Sequence, residues 1–193
     1  MARDPACVQA VKDNNVAAVR AFLQSGEEPD DYVLFLSIRY NALDVLRVLI
    51  KAGGNLNAVE HPKGGGNTPL GRAIVENNMP AFRLLLKAGA LINKPGYFET
   101  PISTAAKQGS IAFTKACITA GAEIDARSQS TSKTPLMTAA HFGCTDIVKL
   151  LLKSGADPHL VDEIGRTAQK IAADANETEI AELLAKSKVP KKR

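Results

Sequence analysis

The chain has no tryptophan, and its three Tyr and six Phe are only 5% of 193 residues. A hydrophobic core must therefore be assembled from Leu, Ile, Val and Ala. Cysteine is scarce as well: Cys7, Cys117 and Cys144 are an odd number and form no Cys-x-x-Cys pair. Neither a disulfide framework nor a structural zinc site is expected, and a reducing compartment, cytoplasmic or nuclear, fits best. No run approaches 18 consecutive apolar residues, so no membrane span is expected. The opening Met1-Ala-Arg-Asp-Pro lacks the charged-then-apolar pattern of a secretory signal, so secretion is not expected. An excess of one charge is missing too, once the end of the chain is set aside. The formal net charge is +4, but Lys186 to Arg193 carry five bases and no acid. Without them, 19 of the 24 basic residues face 20 acidic ones, a body of net −1. A basic tail on a near-neutral body is not a basic domain, so nucleic acid is not the expected main partner.

What the sequence does have is a repeat. Asn67-Thr-Pro-Leu-Gly-Arg-Ala, Glu99-Thr-Pro-Ile-Ser-Thr-Ala, Lys133-Thr-Pro-Leu-Met-Thr-Ala and a decayed Arg166-Thr-Ala-Gln-Lys-Ile-Ala place Thr68, Thr100, Thr134 and Thr167 in steps of 32, 34 and 33 residues. A second marker, a glycine closing an apolar run, recurs at Gly26, Gly53, Gly89, Gly121 and Gly155. Two markers that keep one period are the signature of a repeat architecture.

Each marker has a mechanical reason. A Thr oxygen can accept one of the orphan N–H groups at a helix start, and Pro at the first helical position forfeits no bond. The short helix that follows is interrupted at Asn14, Asn41, Asn77, Gly109, Gly143 and Asn176, residue types that tolerate a left-handed backbone. A second helix then carries an apolar face, in the fifth copy Ile147, Val148, Leu151 and Leu152. Its glycine ends it with a left-handed cap. The residues between one glycine and the next Thr are polar and rich in turn formers.

This pattern resembles the ankyrin-repeat family, whose period and T-P-L-H-x-A motif it follows. The best copy is Thr-Pro-Leu-Met-Thr-Ala-Ala-His-Phe-Gly-Cys-Thr-Asp-Ile-Val-Lys-Leu-Leu-Leu-Lys-Ser-Gly-Ala-Asp from Thr134; the family's His is replaced in every copy, here by Met137. The resemblance implies an all-α fold, an α-solenoid of stacked helix-turn-helix units joined by β-hairpin loops. Six units are expected, at 5–26, 32–53, 68–89, 100–121, 134–155 and 167–186, the first and last as polar caps. They form one domain over 1–186, followed by the basic tail 187–193. The connection between Gly53 and Thr68, which holds Gly64-Gly65-Gly66, is the longest and is expected to be the most mobile tip. Arg127-Ser-Gln-Ser-Thr-Ser-Lys133 reads as a flexible polar tip.

No catalytic, cofactor-binding or metal-binding residue emerges, and an enzyme is not expected. Gly64-Gly65-Gly66 lacks the Gly-Lys-Ser/Thr ending of a phosphate loop. His141 and Cys144 are split by the break at Gly143, and no further ligand stands at metal spacing. Cys7 and Cys117 fall at apolar helix positions. The carboxylates are dispersed, without the burial an acid–base pair needs, and no Gly-x-Ser-x-Gly elbow occurs. Arg20, Arg47, Lys51, Arg83, Lys87, Lys149 and Lys153 recur as a solvent stripe on the second helices.

For the function, the resemblance implies a module that binds another protein: an adaptor, scaffold or inhibitor. Its concave side is built from hairpin tips and the ends of the first helices. Phe22, Phe82 and Phe113 fall on core positions, whereas Tyr40 and Phe142 fall on helix ends and Tyr97 and Phe98 on a tip. Aromatics beside cations have the composition of binding hot spots. The candidate partner-binding residues are Arg39, Tyr40, Tyr97, Phe98, Lys107, His141 and Phe142; gap filling between units is the alternative for Tyr40 and Phe142. A rival reading gives the basic tail a role in nuclear import, or in binding nucleic acid or an anionic surface.

Overall fold

A computed structural model describes residues 4–26, 30–129 and 131–187. Among them twelve α-helices fall into six antiparallel pairs. The chain divides into two compact units, Met1–Tyr97 and Phe98–Arg193. The basic tail lies outside the described residues from 188 onward, and the first connection is described only in part.

The first unit holds α1 (Pro5–Lys12), α2 (Val16–Gln24), α3 (Asp31–Arg39), α4 (Leu43–Lys51), α5 (Pro69–Val75) and α6 (Met79–Lys87). The first helices pack in sequence, α1 on α3 and α3 on α5, and the second helices do the same, α2 on α4 and α4 on α6. The second unit repeats the plan with α7 (Pro101–Lys107), α8 (Ile111–Thr119), α9 (Pro135–His141), α10 (Thr145–Lys153), α11 (Ala168–Asp174) and α12 (Thr178–Ala185). There α7 packs on α9 and α9 on α11, with α8 on α10 and α10 on α12. This is the all-α repeat solenoid that the period implies.

The helix starts follow the chemistry of their residues. The hydroxyls of Thr68, Thr100, Thr134 and Thr167 accept the backbone N–H three residues on, at 3.2 to 3.4 Å. In the first pair, which lacks Thr-Pro, Asp4 caps α1 ahead of Pro5. Met137, in place of the family's His, closes a reciprocal cap, its sulfur accepting the Thr134 N–H at 3.4 Å. Ala42, the residue that precedes α4, has no capping side chain. Asn14, from the preceding pair, substitutes for it: its Oδ1 accepts the Val45 N–H at 3.1 Å while its Nδ2 donates to Asp44 at 3.0 Å. One asparagine thereby makes the turn within its own pair and caps a helix of the next.

The breaks take the left-handed conformation expected of them, with φ of 50° at Asn14 and 70° at Gly143. At Gly143 an L side chain would be strained by the positive φ, and its β-carbon would displace the flexible Glu177 carboxylate.

The core is aliphatic, as the absence of Trp requires. Leu34, Ile38, Leu46, Leu49, Leu70 and Leu85 are fully buried in the first unit, as are Ile102, Leu136, Ile147 and Leu151 in the second. Phe82 and Phe113 join them, whereas Phe22, expected in the core, is half-buried. Helix α2 belongs to the first pair of its unit and is covered by α4 alone among the second helices, so its outer side keeps contact with water. The stripe from Arg20 to Lys153 is exposed throughout.

The loops close in hairpin fashion but with very little strand. Among the described residues the one β-bridge joins Val161 and Thr167. Elsewhere single backbone bonds close the loops, from Glu60 N–H to the Asn67 carbonyl at 2.9 Å and from Ser128 N–H to the Lys133 carbonyl at 3.0 Å. The arms are too short to propagate a ladder before the next helix begins.

The long connection is not a free tip, contrary to the expectation from its glycines. Pro62–Gly64 form a 3₁₀ turn, and the guanidinium of Arg72, from α5, is held by the Glu60 carboxylate and the Gly64 carbonyl. Tyr97 N–H also donates to the Gly66 carbonyl at 2.6 Å. The loop is tied to the helix behind it. The Arg127–Lys133 tip is likewise partly anchored: Ser128 is buried, with its hydroxyl 2.7 Å from that of Thr131, and Arg127 donates to the Val161 carbonyl at 2.7 Å. Ser130 lies outside the described residues.

Candidate functional site

The end of each first helix presents two side chains, the last helical residue and the residue that caps it. The left-handed residue just beyond reverses the chain there, so the cap side chain cannot be covered by its own second helix. This is why Tyr40 and Phe142, the caps of α3 and α9, are 45% and 48% exposed despite their size. They are not buried gap fillers.

In the first unit Arg39 ends α3, and its Nε lies 3.6 Å from Glu76. Lys12 of α1 stands over the Tyr40 ring at 5.4 Å from its centre, a cation–π pair linking neighbouring repeats. Tyr97 is exposed on the loop that is pinned at Gly66.

The second unit gathers its four predicted residues into one place. His141 and Phe142 meet edge to face, with ring centres 5.0 Å apart at 84°. Lys107 of α7 reaches over Phe142 at 5.9 Å and pairs with Glu99 at 3.3 Å. With Phe98 they border a groove of about 220 Å³ whose remaining wall is Ser128, Thr131, Lys133, Thr138 and Glu99, the last already paired with Lys107. The His141 pKa is lowered from its ordinary value, first by partial burial and then by the charges of Lys133 and Arg166. The imidazole therefore takes up a proton less readily than a free histidine, in the positive field of Lys133 and Arg166.

Lys133 was the residue that pattern reading missed. It precedes the capping Thr of its repeat, as Asn67, Glu99 and Arg166 do in theirs. The repeat register marks this position, although it lies eight residues before the helix end. Ile164, at 68% exposed, is another apolar tip residue not anticipated.

Other ionisable groups are shifted by burial and by their local partners. Burial drives the Asp162 pKa up, but bonds from the backbone of Arg166, from its guanidinium and from the Ile164 N–H outweigh it, and the pKa is lowered. Burial pushes the Cys117 thiol up to about 12. Cys144, which precedes α10, is also raised, by burial and then by Glu177. Among the described residues no three His, Cys, Asp or Glu side chains are grouped to hold a metal ion. None of the described helices is long and apolar enough to cross a membrane.

Comparison with known proteins gives the same family. A family model described as three copies of ankyrin repeats matches residues 7–96 and 102–193. The chain is 32% identical over 107 residues to BRCA1-associated RING domain protein 1 of Caenorhabditis elegans, covering 55% of this chain and 15% of that protein. It is 34% identical over 108 residues to Dauer abnormal formation protein 25 of the same organism, covering 55% of this chain and 28% of that one. To the nuclear factor NF-kappa-B p105 subunit of Mus musculus it is 32% identical over 133 residues, 65% of this chain and 13% of that protein. The chain thus spans less than a third of the length of each of these relatives.

Proposed function

The chain belongs to the ankyrin-repeat family, and from that premise we propose that it is a non-enzymatic protein-interaction module, an adaptor, scaffold or inhibitor. In this reading the six helix pairs act as one domain over residues 1–186. It binds a partner protein through the ends of the first helices and the adjoining loop tips. Arg39, Tyr40 and Tyr97 form the contact residues of the first unit, and Phe98, Lys107, His141 and Phe142 those of the second.

The observation that carries this reading is the exposure of Phe142, 48%, at a helix end where a lysine and a histidine surround it. In a unit that buries Phe113 almost completely, a half-exposed ring beside a lysine and a histidine has the make-up of an interaction hot spot. Mechanistically, packed helix pairs hold these side chains in place before the partner arrives, so little conformational entropy is lost on this side of the interface. Three cysteines, an odd number with no Cys-x-x-Cys pair, support a cytoplasmic or nuclear setting.

The test is a pull-down from the source cells with wild type and with a Tyr40→Ala/Phe142→Ala variant, each checked for its helical signal and melting. The expected result is a folded variant that loses its partners. A variant that keeps both its fold and full partner recovery overturns the assignment of these residues.

A further inference from the structure

The three repeats of the second unit place comparable residues eight positions apart, one just before the capping Thr and one at the end of the first helix. In the fourth repeat these are Glu99 and Lys107, an ion pair at 3.3 Å. In the sixth they are Arg166 and Asp174, at 3.9 Å, with Arg166 also bound to Asp162 at 2.9 Å. In the fifth they are Lys133 and His141, two bases and no acid. Lys133 is half-buried and makes no ion pair among the described residues. The fifth repeat thus lacks the counter-charge that its neighbours carry, at the place where the groove opens. The depressed pKa of His141, to which both Lys133 and Arg166 contribute after burial, is consistent with that surplus of positive charge.

We propose that the missing acid comes from the partner: the groove takes an Asp or Glu side chain of an extended peptide segment, between Lys133 and His141, with an adjacent apolar residue against Phe98 and Phe142. This rests on the protein-binding reading above and names the chemistry of its partner. A volume of about 220 Å³ suits one or two side chains. Carboxylate recognition by a lysine within a partly desolvated groove is stronger than on an open surface, because water screens it less. A nucleic-acid strand fits less well, since it would need a track of cations along its backbone. Near this groove Glu99, Asp162 and Asp174 already neutralise Lys107 and Arg166.

The experiment is a selection from a random displayed peptide library on the full chain, followed by affinity measurements on the enriched synthetic peptides. The expected peptides carry Asp or Glu beside an aliphatic or aromatic residue. Their affinity falls about tenfold or more with Lys133→Glu. It falls similarly with His141→Glu, which builds into the fifth repeat the acid that the sixth already has. Lys133→Arg keeps it within about threefold, because the charge remains. Both glutamate variants are checked by thermal melting, and Lys133→Gln serves if either fails to fold.

Enriched peptides without an acid, or acidic peptides indifferent to all these changes, overturn the assignment. Binding of a labelled oligouridylate that is lost with the same substitutions overturns it too. If those peptides still lose binding with Tyr40→Ala/Phe142→Ala, the broader reading survives without this groove. If no peptide is enriched, the inference falls, and the pull-down alone decides the broader reading.

Discussion

The two units share one helix plan and treat their charges in opposite ways. In the first, Arg39, Glu76, Arg72 and Glu60 form a chain of ion pairs with as many acids as bases, and Arg72 at its centre is 5% exposed. That charge is directed inward, where it fastens the long loop to α5. In the second, Glu99 pairs with Lys107 in the fourth repeat and Asp174 with Arg166 in the sixth, while Lys133 and His141, at the same positions of the fifth, stand without an acid. A repeat frame can thus use the same surface positions either to bind its own loops or to present charge outward. What separates the two is whether a counter-charge lies within reach in the same chain.

This contrast can be broken most sharply at its two lysine and arginine centres. Arg72→Ala leaves the Glu60 carboxylate and the Gly64 carbonyl without their partner, and is expected to cost about 3–5 kcal/mol in a urea melt. Lys133→Ala, which removes no ion pair, should shift the same melt by less than about 0.5 kcal/mol. Equal costs at the two sites would show that the inward and outward roles are misassigned.

Next in size is a comparison within one register. Leu151 and Phe22 each lie four residues before the closing glycine of their second helix, Leu151 fully buried and Phe22 half-exposed. Leu151→Ala should cost about 2–5 kcal/mol. Phe22→Ala should cost clearly less in the same denaturation assay, although its side chain is larger. Thr134→Ala removes a helix cap and is expected to cost about 1 kcal/mol, measurable by the same melt.

The smallest effect is pH dependence. The native His141 pKa lies below the ordinary 6.5 because of burial and then the nearby Lys133 and Arg166. The unfolded chain therefore takes up this proton more readily than the folded one. The stability contribution is complete above the unfolded value of 6.5 and declines as the pH falls through the lowered native value. Urea melts at about pH 8 and about pH 5.5 should show the loss in wild type and a smaller loss in His141→Gln.

Much of the fold was legible residue by residue. The capping threonines, the prolines after them and the asparagines or glycines at the breaks all act through backbone groups within a few positions of themselves. Their roles could be read without knowing what packs where. The loops were harder. Gly64-Gly65-Gly66 signals freedom on a local reading, yet Arg72, eight residues beyond Gly64, holds the turn in place. Asn14 as the cap of α4 was hidden for the same reason, since its acceptor serves a helix some thirty residues away. The candidate surface divides similarly: Tyr40 and Phe142 follow from their place at helix ends, whereas Lys133 matters because of what stands near it.

Period, pairing of helices and the identity of the buried face were settled along the chain, because each depends on spacing and on short-range hydrogen bonds. Whether a given charge is buried, paired or presented to a partner depended on folding, because electrostatic interactions act between groups that are distant in the chain and near in space. Arg72 and Lys133 are both ordinary bases in the sequence. Their opposite fates were set by the carboxylates that the packed repeats brought to one and not to the other.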